Sequence, residues 1–110
     1  MKEKYIVGQR ASPTSFKPQI TLLKTLLKPV AKEAYIFGSF PKGYAVRGES
    51  DVDLLVIPKR PTSLKSLYTR LGAPHDAFLE AGLAFHIILY DPKRHQKSLL
   101  EEAKKGMRLA

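Results

Sequence analysis

Asp51 and Asp53 stand two residues apart at the start of an apolar run, Val52, Leu54, Leu55, Val56 and Ile57. On a strand that spacing turns both carboxylates to one face, where two like charges repel unless a cation lies between them. Magnesium fits such a pair, because it takes oxygen ligands and readily bridges carboxylates to phosphates. Upstream, Gly38-Ser39 follows directly on the apolar Ala34-Tyr35-Ile36-Phe37. Glycine after a strand lets backbone amides approach a phosphate closely, and serine adds a hydroxyl donor. Together these residues are equipped for metal-assisted displacement at a nucleotide phosphate.

The elements that must position them are legible from periodicity. Residues 1–17 read as an N-terminal arm in which Tyr5-Ile6-Val7 can pair as a short strand. From Pro18 the apolar positions Ile20, Leu22, Leu23, Leu26, Leu27 and Val30 recur at helical steps, and Pro29 ends the helix. Strands are expected over 34–37 and 52–57. Thr62 or Ser63 caps a helix carrying Leu64, Leu67, Tyr68 and Leu71, stopped by Gly72; Pro74 opens another with Phe78 and Leu79, ended by Gly82. Residues 83–90 form the longest strand candidate, with Phe85, Ile87 and Leu89 on one face and His86, Ile88 and Tyr90 on the other. Asp91-Pro92 starts a last helix with Leu99, Leu100, Ala103 and Met107 inward. This alternation describes an α+β layered domain over residues 18–110.

A chain of 110 residues has room for one modest domain. Without cysteine it has no disulfide, thiolate metal site or cysteine nucleophile. No apolar run approaches the roughly 20 residues of a membrane span, and the start lacks the apolar core of a secretory signal, so a cytoplasmic, membrane-free protein is expected. Lys and Arg number 19 against 10 Asp and Glu, a balance that favours anionic partners or reflects a solvated Lys-rich surface.

The run from Phe37-Gly38-Ser39 through Lys42-Gly43 and Ser50 to Asp51-Val52-Asp53 resembles the DNA polymerase beta-like nucleotidyltransferase superfamily, and in particular its minimal nucleotidyltransferase branch. The likeness is strongest from the helix before Ala34 to Ile57. It implies a small mixed sheet packed with helices and transfer of a nucleoside monophosphate, AMP from ATP, to an acceptor hydroxyl. Carried over by position, Gly38 and Ser39 hold the triphosphate while Asp51 and Asp53 bind metal. Lys42 and Arg47, in the intervening loop, are candidates to meet phosphate or are simply solvated. Ser50 is placed with the nucleotide-binding loop, which it orients by local hydrogen bonding. Minimal members are often paired with a helical HEPN-type protein as antitoxins, so such a partner is expected here; nucleic acid ranks below it, and a homodimer stays open.

Two departures from the family pattern stand out. Residues 40–50 make the loop one residue longer than is usual. More consequentially, His86 occupies the place where transferases of the family carry a third acid, and it is read as a ligand, a base or an ordinary strand histidine. A neutral imidazole there weakens magnesium binding and favours manganese or zinc. Asp91 is a substitute candidate for the third acid, whereas His75 and His95 read as surface residues. The alternative function is a catalytically impaired module of the same fold that binds nucleotide or neutralises a partner.

Overall fold

The computed structural model describes residues 5–110. The sheet is built around two runs apolar enough to be covered on both sides. Strand β2 (Ala31–Phe37) has Ala34, Tyr35, Ile36 and Phe37 all buried, and β4 (Asp51–Pro58) buries Val52, Leu54, Leu55 and Val56. They pair antiparallel, Tyr35 opposite Leu55 and Phe37 opposite Asp53. Strand β5 (Ala84–Leu89) lies parallel to β4, and β6 (Met107–Arg108) lies antiparallel to β2, giving a mixed sheet in the order β5-β4-β2-β6. A separate two-residue ladder joins β1 (Arg10–Ala11) to β3 (Ala45–Val46).

Alternation divides the sheet into two faces. Ala34, Ile36, Val52, Leu54, Val56, Phe85 and Ile87 face the main core, which α1 (Lys17–Leu27), α2 (Leu64–Arg70) and α3 (Gly72–Glu80) complete through Ile20, Leu23, Leu27, Leu67 and Phe78. The opposite face carries Tyr35, Phe37 and Leu55, covered by Ala103, Leu99 and Leu100 of the single helix α4 (Lys97–Lys104). One short helix cannot roof the whole face. Its uncovered end is where β4 and β5 begin.

Several boundaries differ from the sequence reading. Tyr5-Ile6-Val7 form no strand; Arg10–Ala11 pair instead, and Ala11 with Phe16 is buried in the main core, so this part of the expected arm packs with the domain. Residues 1–4 of that arm lie outside the described residues. Gly72, expected to stop one helix before Pro74 opens the next, is itself the first residue of α3, with Leu71 between the two consecutive helices. The last helix starts at Lys97, after a turn in which the Asp91 carboxylate accepts from Lys93 N. Met107, expected on that helix, is in β6. The switch is set by Gly106, where a Cβ would collide with the Ile36 carbonyl oxygen. Leu22 and Leu64, expected inward, are 37% and 44% exposed.

Candidate active site

Asp51 and Asp53 open β4, and the parallel register sets His86 of β5 directly beside Asp53. All three side chains rise at the end of the α4-covered face that the helix leaves open. His86 Nδ1 lies 3.5 Å from Asp51 Oδ2 and 3.9 Å from Asp53 Oδ1. One potential ligand atom from each of the three falls within 4.8 Å of the others. Burial pushes the Asp53 carboxyl above its ordinary value, the Asp51 charge adds to the rise, and His86 opposes it. Two acids held together at this cost are a donor set that fits a divalent cation: hard oxygens from Asp51 and Asp53, with an imidazole nitrogen in reach.

Gly38 borders this cluster for a steric reason. It follows Phe37, the register partner of Asp53, with a φ of 84°, and a Cβ would stand 3.3 Å from Asp53 Oδ2. A larger residue would be strained and would crowd the carboxylate. Ser39 is half-buried, and its carbonyl accepts from Tyr44 N, which folds the loop back on itself. The neighbouring Phe40 is fully buried against Phe16 and Phe78, with centroids 5.5 Å apart in both cases. That anchor fixes the start of the loop. Its apolar character in a polar loop was the signal, which the sequence reading did not use.

The remaining loop residues divide in role. Ser50 Oγ accepts from Val46 N at 2.7 Å and its amide donates to Val46 O, so it closes the turn that delivers Asp51. Lys42 is exposed and lines a cavity of about 160 Å³ with Pro41, Lys105, Gly106 and Met107. Arg47, considered for phosphate, is otherwise engaged. It donates to Ala81 O and lies 5.3 Å over the Phe16 ring, and its buried Nε has no partner among the described residues. Asp91 cannot serve as the third acid, because it follows the far end of β5 in a turn that His95 also joins, through Nδ1 accepting from Asp91 N. His95 stacks on Tyr90, and His75 packs edge-on to Tyr68 and Phe85. Both imidazoles are thus half-buried structural groups.

Concavities of about 350 Å³, by Pro29 and Lys59, and about 430 Å³, by Leu64 and Arg94, lie at the other end of β4 and along β5. Neither brings acids together. Chemistry rather than volume therefore locates the site, an open shelf at the start of two parallel strands. Among the described residues no helix is long and apolar enough to cross a membrane.

No curated protein matches the chain. The family model described as nucleotidyltransferase domain matches residues 19–108, a span that contains the Gly38-Ser39 turn, all three shelf residues and every strand of the four-stranded sheet. The mixed sheet agrees with the polymerase beta-like fold. The chain belongs to the nucleotidyltransferase domain family.

Proposed function

We propose that this protein is a metal-dependent minimal nucleotidyltransferase that moves AMP from ATP to a hydroxyl of another macromolecule. The observation that carries the reading is the convergence of Asp51, Asp53 and His86 beside the Gly38 turn. In this reading Asp51 and Asp53 hold the ion, magnesium or manganese, and the backbone at Gly38 and Ser39 receives the triphosphate, with exposed Lys42 as an added cation. The bound ion would neutralise triphosphate charge and acidify the attacking hydroxyl. The acceptor oxygen bonds to the α-phosphorus, the bond to the bridging oxygen breaks, and pyrophosphate leaves. His86, half-exposed beside both acids, takes the hydroxyl proton where a third carboxylate would otherwise stand. Ser50 holds the loop that carries Asp51.

A shelf open to solvent suits an acceptor delivered by a partner, and the HEPN-type helical protein paired with minimal members is the partner proposed, with the chain as antitoxin. The test is incubation with α-phosphate-labelled ATP, magnesium or manganese, and a HEPN-type helical protein. Label should move to the partner and should cease in Asp51→Asn and Asp53→Asn. A second reading follows from His86 in the third-acid place: a module that binds nucleotide or partner without transfer. Saturable ATP binding with no label transferred under either metal selects it.

A further inference from the structure

The acids open β4 at its first residue, and Asp51 pairs with Ala84, the first residue of β5. Strand ends fray most easily, so a site built on two of them needs an outside brace. Residues 5–9 cross both turns that feed these strands. A Cβ on Gly82, two residues before β5, would lie 2.7 Å from Tyr5 ring carbons, and one on Gly48, three before Asp51, would lie 3.7 Å from the same ring and 3.2 Å from Val7. Both glycines have positive φ, 86° and 89°. The turns are also joined directly, Gly48 N to Gly82 O at 2.7 Å and Arg47 to the Ala81 carbonyl. The strap is tied in by Gly8 N to Arg47 O and Arg47 N to Gln9 O.

The structure assigns Tyr5 a positioning role: its ring, wedged on Gly48 and Gly82, locks together the entrances of β4 and β5 and so sets the separation of Asp51 and Asp53 from His86. The inference rests on the roles proposed above, cation holding for Asp51 and Asp53 and proton acceptance for His86. It also explains why Arg47 is withdrawn from phosphate, since its backbone and side chain serve the same brace.

The test compares wild type, Tyr5→Ala and Tyr5→Phe by manganese affinity, read from the resonance of free ion, and by amide hydrogen exchange. Tyr5→Ala should weaken manganese binding roughly tenfold, as loss of an outer support does at metal sites. It should also speed exchange over 51–53 and 84–86 while 34–37 stays protected. Tyr5→Phe, which keeps the ring, should match wild type in both. Unchanged exchange at the strand entrances in Tyr5→Ala, equal damage from Tyr5→Phe, or a uniform rise that includes 34–37 each overturns the role. If wild type takes up no manganese, the cation reading fails, and the exchange comparison still decides on Tyr5.

Discussion

Glu33 and Asp53 share one face of the sheet, on neighbouring strands, yet the protein pushes their carboxyl groups in opposite directions. Glu33 accepts from the Tyr35 hydroxyl two residues on, and that bond holds it below its ordinary value, helped by Lys104, Arg108 and Lys32. Tyr35 is pushed up, first by burial and then by Glu33. Asp53 is raised by burial and by Asp51, and His86 only partly offsets this. At the other end of the face, an acid has its partner built in, the Tyr35 hydroxyl with cations around it. At the start of β4 two acids stand together, with His86 as their only close partner among the described residues. Local frustration that the chain relieves elsewhere on the same face coincides with the end where the cation site is proposed.

The largest effect expected from breaking this contrast is on chemistry. Asp53→Asn removes a ligand and should lower label transfer by roughly a thousandfold. In metal-free protein the same substitution should raise Tm near neutral pH. The sign follows from the raised carboxyl: Asp53 favours the fold while protonated, below its unfolded value, and that contribution is lost as pH rises through the folded value. The gap between variant and wild type should therefore close in acid, and thermal melts across pH check it.

Phe40→Ala comes next, because it empties the aromatic anchor of the loop. It should cost about 3–5 kcal/mol in denaturant melts. Gly38→Ala is smaller in stability, about 1 kcal/mol from the left-handed backbone, but it crowds Asp53 and should depress transfer more than stability. Glu33→Gln should leave transfer intact and lower Tm by no more than roughly 3 °C, since the pair lies near the surface. Glu33 is depressed, so its contribution is present above the unfolded value and lost as pH falls through the folded one. A Glu33→Gln variant with impaired transfer would erase the distinction between the two ends.

What the sequence made legible was local. Asp51 and Asp53 share a face by strand alternation, His86 falls on the face opposite Phe85 and Ile87 as expected, and Ser63 caps α2 through Ser66 N. The family pattern in residues 38–53 picked out Asp51 and Asp53, and the later strand picked out His86, the three side chains that converge on the shelf. What escaped depends on distant partners. Nothing near Tyr5 indicates that its ring meets Gly48 and Gly82, and nothing near Arg47 points to Ala81 or Phe16. Met107 fits a helical period until Gly106 is seen lying on Ile36, which turns the chain into an edge strand of two residues.

Manganese uptake by wild type, Asp53→Asn and Glu33→Gln tests the central contrast most directly. Saturable binding in wild type and Glu33→Gln that disappears in Asp53→Asn is the result expected of a cation seat at the open end of the sheet. Equal uptake by all three, or none by wild type, contradicts it.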